Sequence, residues 1–569
     1  MVNLPHRWAV CALCWVSLLV PLAAAEGQAV RGAAEEAYRR GFALQGEMRT
    51  LEAIEAYRQA LRINPFHGKA NYEIGWSYWV LRDWEQVVRH WEIAGQLEAG
   101  PDELPDFLAI ARERLSGKVP PLVRVPIGTW ARARAPAAAR PRQGRPDAGT
   151  DAEPMAEAGS EAELELELIA RFQHFDPRPQ HRADRFDRHV FSPKSVLFAP
   201  DGKTVYVNTL EGMATLAYDP ATLKKKGVIV HRFGEGDATL FDPGTFEKFW
   251  GRLHPGERPA HPNRFEGKPV EAVFSHGGRF LWVSYYRRDF DRWGRMPSAL
   301  AVVDTAANRI VRVLHTGPIP KSLAISPAGG LLAAVHWGDN TVALFDLSGA
   351  EPRGFRYVGE IVVGKKLPLD MAAEVDRDHL CGFCLRGAVF TRDGRHLLVG
   401  RMGGGGIAVL DVAARRHVGT VWGMKPTPRH LVLSRDGAAL YVGSSASGYV
   451  SLYRTQALVA AARAGRKKLA PLYQTNTGRG TRTIVLDPQG RVLYAAVNGT
   501  SRVVALDARN LRKILEIPAD SFPVGLAVSP DGGQLWVTSQ GIKLRGGNAI
   551  GVYRIATRGG KKIHRPKPR

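Results

Sequence analysis

Cysteine is almost absent. Only four of the 569 residues are cysteine, and two of them, Cys11 and Cys14, lie in an apolar N-terminal run. Cys381 and Cys384 are left alone in the body of the chain, which excludes a disulfide-stapled scaffold and a zinc site built on four cysteines. Acidic residues are also short: 55 Asp and Glu against 78 Lys and Arg give a formal charge of +23. Absent too, in any suitable context, are a GxSxG elbow, an HExxH pair and a phosphate-binding P-loop, so no familiar signature of a serine hydrolase, zinc protease or nucleotide enzyme is present.

What remains is ordinary for a globular protein, with 45% hydrophobic and 23% charged residues. The length exceeds one compact domain. Residues 1–25 read as a secretory signal: Arg7, an apolar stretch from Trp8 to Leu22, then Ala23-Ala24-Ala25. That stretch is short beside the roughly 20 residues of a membrane helix. Export to a periplasmic or extracellular space is therefore expected, with no stable span after cleavage; a retained anchor is the alternative. Cys11 and Cys14 would leave with the signal.

The basic excess is partly local, in segment 131–145 and in a tail at 557–569. In an exported chain such charge favours cell-envelope polymers or acidic head groups. No nucleic-acid motif accompanies it, and nucleic acid is not expected as a partner.

From Ala34 to about Leu115 the pattern is helical. Ala37, Gly41, Leu44, Ala53, Tyr57, Ala60 and Pro65 are followed about 34 residues later by Asn71, Gly75, Tyr78, Val87, Trp91 and Ala94. This spacing resembles the tetratricopeptide repeat, with two copies and a capping helix at 103–115. The resemblance implies a helical region, 26–115, that recruits a protein partner. Trp76, Tyr78, Trp79, Trp84 and Trp91 read either as core with an exposed rim or as a peptide groove. Residues 116–162 turn Pro/Ala/Arg-rich and then acidic, the composition of a disordered linker.

From Phe191 onward one motif recurs: PKSVLFAPDG (193–202), PVEAVFSHGG (269–278), PKSLAISPAG (320–329), LRGAVFTRDG (385–394), PRHLVLSRDG (428–437), TRTIVLDPQG (481–490) and PVGLAVSPDG (523–532). Each copy is an apolar strand, a Gly-ended turn and a second strand, the grammar of a β-meander. Seven copies of a four-stranded unit predict a seven-bladed β-propeller over 163–556, since radial repetition leaves only short protected edges. The fold class expected is thus a small all-α helical repeat followed by an all-β propeller. The last blade shows three strands, and its fourth is expected from 163–191, closing the ring. The motif resembles the YVTN-repeat propellers, an extracytoplasmic family related in fold to lactonase-type and haem d1-type propellers. That resemblance implies the fold and little about function.

The second residue of the motif is Lys194, Val270, Lys321, Arg386, Arg429, Arg482 and Val524 in turn. Five of seven are basic at the start of the innermost strand, so these side chains are expected to ring the mouth of the central channel and bind an anion. Glu271 and His430, one residue later in their copies, are candidate tuning groups. The opposing reading sends each side chain to solvent or to a neighbouring Asp. Loops joining second and third strands share that face and carry Tyr285 to Asp289, His336 to Asn340, Arg401-Met402 and Lys543 to Asn548. Tyr286, Arg287, His336, Trp337 and Arg401 are therefore candidate contacts.

Cys381-Gly-Phe-Cys384 precedes Arg386. Leu385 occupies the place of the His that covalent haem attachment needs. No helix follows to activate a redox pair, and although His379 and Asp378 are near enough in sequence to join a metal, no second ligand pair is visible for one. A local disulfide is the default, with metal or redox chemistry as alternatives. No cofactor is expected. The leading functional reading is a non-catalytic exported binding protein that holds an anionic small molecule, acidic peptide or envelope polymer at the propeller mouth. A lactonase-type hydrolase using His430, Glu271 or His336 is the alternative, and a redox or metal-handling protein ranks third.

Overall fold

The structure, a computed structural model, describes residues 32–116, 163–179, 181–253, 255–369, 375–466, 468–541 and 547–558. The expected signal, nearly all of the linker and most of the basic tail lie outside the described residues.

Five helices open the described chain: α1 (32–46), α2 (Thr50–Ile63), α3 (Gly68–Leu81), α4 (Trp84–Gln96) and α5 (Leu104–Leu115). In α2, Ala53, Ile54, Tyr57 and Ala60 recur at three- and four-residue spacing and are buried, as one face of a helix requires. Asp83 starts α4 by accepting a hydrogen bond from the Gln86 amide, satisfying an otherwise unpaired N–H. The paired helices touch at glycine: a methyl on Gly41 would stand 2.6 Å from the Tyr57 ring, and one on Gly75 would collide with the Trp91 indole. Trp76, Trp79 and Trp91 form the centre of this helical core, so of the two readings of the aromatic set these three are core. Helix α5 covers the open end with Leu104, Phe107, Ile110 and Ala111.

The rest is a ring of seven antiparallel blades whose inner strands are Pro193–Phe198, Phe265–Ser275, Pro320–Ile325, Leu385–Phe390, Pro428–Leu433, Thr481–Leu486 and Pro523–Val528. We number the blades 1 to 7 in that order. Second strands such as Leu331–His336 and Leu397-centred His396–Arg401 are buried on both faces, because neighbouring blades pack against each side; this accounts for their unbroken apolar runs. The turn after each inner strand uses a glycine at positive φ, for example Gly394 at 69° and Gly437 at 72°, which a side chain would strain.

Blade 7 closes the ring. Its third strand, Ala549–Arg558, pairs antiparallel with Glu163–Gln173, so one sheet contains both ends of the propeller. Its inner strand also packs against that of blade 1.

The helical layer docks on the propeller face at which the inner strands begin. Arg114 at the end of α5 donates to the backbone carbonyls of Ser501 and Ala519 at 3.2 and 2.8 Å. Glu113 pairs with Arg502. The deepest link is Arg171, 1% exposed. It donates to both carboxylate oxygens of Asp520 at 3.0 and 2.7 Å, to Asp184 at 2.9 Å and to the Val80 carbonyl of α3 at 2.9 Å. These contacts lie at the loops of blades 6 and 7, which places the helices beside the channel mouth.

Candidate functional site

The basic column is aimed by backbone geometry repeated around the ring. The residue before the motif lies at positive φ in six blades: Ser192, Ile319, Cys384, Thr427, Gly480 and Phe522. Five of these are not glycine, a costly conformation kept where surrounding structure demands it. A β-bulge follows, with the pairing to the second strand slipping between Pro320 and Ser322, between Pro428 and His430, and at the equivalent place in every other blade. Lys321 and Arg429 are the extra residues in their bulges, and Lys194, Arg386 and Arg482 lie within theirs. A bulge turns a side chain away from the alternation of the strand, here toward the axis. Small residues let the bulges pack: a methyl on Gly387 would stand 2.6 Å from the Arg429 carbonyl oxygen, and one on Gly525 would strike that of Lys194.

All five basic side chains line one cavity of about 580 Å³ at the mouth of the channel, with Tyr286, Arg287, Trp337 and Asp378 on its wall. The ring divides into two halves. On blades 2 to 4 the cations are neutralised. Arg386 pairs with Glu271 at 2.7 Å over the intervening blade 3, where it also donates to the Lys321 carbonyl. Lys321 pairs with Asp378 and stands 3.9 Å from the centre of the Trp337 ring. Asp378 also accepts from the Tyr286 hydroxyl, and its backbone carbonyl accepts from Trp337 Nε1 at 3.0 Å.

On blades 5, 6 and 1 the cations form no ion pair among the described residues, and Glu271 offsets their repulsion only from a distance. Among the described residues, Lys194 donates to the Gln540 amide oxygen at 3.0 Å, Arg429 makes a 3.4 Å contact with the Met402 sulfur, and the Arg482 guanidinium lies 5.2 Å from the Phe522 ring centre. Burial pushes the Lys194 ammonium well below the ordinary lysine range, and Arg482, Arg386 and Arg429 push it the same way. Burial and the neighbouring Arg482 and Arg386 lower Arg429 as well. Arg482 is brought down to about 9 by burial, with Arg386 adding to the effect. Lys321 falls to about 7 because burial outweighs the pull of Asp378. Such an arrangement is electrostatically unfavourable until a negative charge enters it.

The other expected site residues divide. Tyr286, Arg287, Trp337 and Glu271 belong to the mouth. Tyr285 to Arg288 continue a strand, Phe280–Arg288, rather than forming a loop. His336 does not reach the channel face. It is fully buried at the end of its strand, bonded to Thr316 and Thr341 at 2.7 Å each, and burial lowers its pKa to about 3; it is a neutral packing group. Arg401 lies outside the cavity, 3.8 Å from the Phe383 ring centre and 4.3 Å from that of Trp422. His430 lies behind the ring, where burial and then Arg386 and Arg429 hold its pKa at about 4. Lys543 lies outside the described residues.

Cys381 and Cys384 form a disulfide. It closes the loop between Asp378 and Arg386, so it fixes an acid and a cation of the mouth at once. Asp378, seen in the sequence only as a possible metal ligand, turns out to neutralise Lys321. Gln540 and the Glu211–Lys268 pair at 2.7 Å gave no signal in the sequence because they lie outside the repeated column. Among the described residues no three His, Cys, Asp or Glu side chains converge as a metal site would require.

No family model matches the chain, and no curated protein does. Among solved structures it is similar to one titled Kuenenia stuttgartiensis hydrazine synthase, at 18% identity over 64% of this chain and 95% of that one, with a TM-score of 0.44.

Proposed function

We propose that this chain is an exported, non-catalytic binding protein whose propeller mouth holds a small anion of two or more charges, or an acidic peptide side chain presenting the same chemistry. The observation that carries this reading is the half-ring of Lys194, Arg429 and Arg482, three partly buried cations that repel one another, feel Glu271 only at a distance and form no ion pair among the described residues. An anion entering there would gain charge-assisted hydrogen bonds in a site of low dielectric. It would also relieve the repulsion among the three. The Cys381–Cys384 disulfide supports an oxidising compartment, in keeping with the N-terminal signal pattern. The helical region recruits a protein partner; exposed Phe42, Leu51 and Phe66 are the apolar groups available for it. The hydrolase alternative has less support, since Glu271 is tied to Arg386 and His430 stands behind the ring.

Calorimetric titration with pyrophosphate and with oxalate tests the reading. Saturable binding is expected, weakened at least a hundredfold when Lys194, Arg429 and Arg482 are all changed to Gln. Equal binding by the triple variant would sink it.

A further inference from the structure

We propose a second, chemically different ligand site at the junction of the helical layer and the propeller, one that takes an amphipathic monocarboxylate. A cavity of about 430 Å³ lies there, of the size and the inter-domain position typical of small-molecule sites. One wall is apolar, made by Leu166 and Leu168 of the closing strand with Ile517 and Tyr553. The lining also carries Arg82 and Arg114 from the helices, with Arg502 of blade 6.

Arg114 is fixed in place. Its guanidinium sits 4.7 Å from the Trp79 ring centre and 4.8 Å from that of Trp84, while Nη2 donates to two backbone carbonyls. Its Nε is buried and donates to no protein acceptor. A buried donor left in this state costs free energy that an incoming acceptor would recover. Arg82 is only weakly compensated: it shares Asp520, at 3.7 Å, with Arg171, which donates to both of its oxygens at closer range. Glu113, the other acid of the cavity, is engaged by Arg502. Two under-compensated cations beside an apolar wall suit one carboxylate on an apolar body. A small polyanion suits the cavity poorly, because it would bring charge against Leu166, Leu168 and Ile517 and sit close to Asp520 and Glu113. This site stands apart from the channel mouth and does not depend on the reading given to it.

The test is calorimetric titration of the full chain with octanoate and with indole-3-acetate, using octan-1-ol as the uncharged control. Saturable binding of both acids is expected, with octan-1-ol at least tenfold weaker. Arg114→Met should weaken octanoate at least tenfold. Where loss of its two carbonyl bonds unfolds that variant, Leu166→Trp carries the test: it fills the cavity from a partly buried position and should weaken octanoate tenfold while pyrophosphate binding stays within twofold. The proposal is overturned if octanoate fails to saturate, if octan-1-ol binds equally well, if Leu166→Trp has no effect, or if octanoate binding is lost in the triple variant of the mouth.

Discussion

Three cations that repel one another without an ion pair among the described residues are expensive to hold in a partly buried site, and removing one should make the fold more stable while weakening anion binding. Arg482→Met is the cleanest case, since its guanidinium packs near Phe522 and forms no ion pair among the described residues. Its expected effect is a rise in unfolding free energy on the order of 1 kcal/mol, read as a higher denaturant midpoint, with sulfate or oxalate affinity reduced at least tenfold. A variant that loses stability would show that Arg482 serves the fold instead.

The two lysines of the mouth set a pH dependence. Lys321 titrates near 7 and Lys194 well below the ordinary lysine range, so both lose charge as pH rises. A bound anion favours the protonated form, and binding therefore takes up protons. Sulfate affinity should fall as pH rises from about 6 to about 9, by no more than about tenfold per unit for each proton taken up. An affinity that is flat across this range would remove the lysines from the site.

At the scale of elements, the inner strands deliver the ring through a left-handed residue and a bulge, and glycine makes room for the next strand. Gly387→Ala places a methyl against the Arg429 carbonyl, so it should push the blade 5 strand outward. A loss of about 1–3 kcal/mol is expected, together with weaker anion binding, although Gly387 itself need not touch the ligand. Reducing the Cys381–Cys384 disulfide should act on another element. Faster amide exchange is expected in residues 376–386, with blades 6 and 7 unchanged, because the bridge closes only this loop.

These elements also mark what a linear reading reaches. The blades were legible because PKSVLFAPDG, PRHLVLSRDG and PVGLAVSPDG repeat one burial pattern and one turn, and the basic column followed from alignment of those copies. Which cations are neutralised was not legible. Glu271 reaches Arg386 past one intervening blade, and Asp378 comes from an irregular loop of no repeating pattern. His336 looked like a loop residue of the channel face, yet its strand extends through it and its ring is bonded to two threonines. The docking of the helices was hidden as well, since it runs through contacts between distant segments, such as Arg171 of the closing strand donating to the Val80 carbonyl 91 residues earlier.

For the whole molecule, Arg171 and Asp520 of the ring together hold the helical layer, Arg171 through the Val80 carbonyl and Asp520 through Arg82 at 3.7 Å. Asp520→Asn would leave Arg171, Arg82 and Arg114 facing one another without its charge, and a loss of about 3–5 kcal/mol is expected. Proteolysis should then separate the helical layer from the propeller. Acid should loosen the molecule as well. His231 and His336 are held neutral by burial down to about 3, and His430 to about 4, from an ordinary 6.5. Below 6.5 the unfolded chain takes protons that the folded chain refuses, so stability present above that pH is lost as pH falls toward 3. A urea midpoint that did not decline over this window would contradict the buried, neutral histidines.

The claim on which the functional account rests is that the open half of the ring binds an anion. Anomalous diffraction from crystals soaked in selenate tests it without assuming which anion is native. The account predicts a selenium peak in the channel mouth within hydrogen-bonding distance of Lys194, Arg429 and Arg482, absent when these three residues are Gln. A mouth without selenate, or a peak that persists in the triple variant, would contradict it.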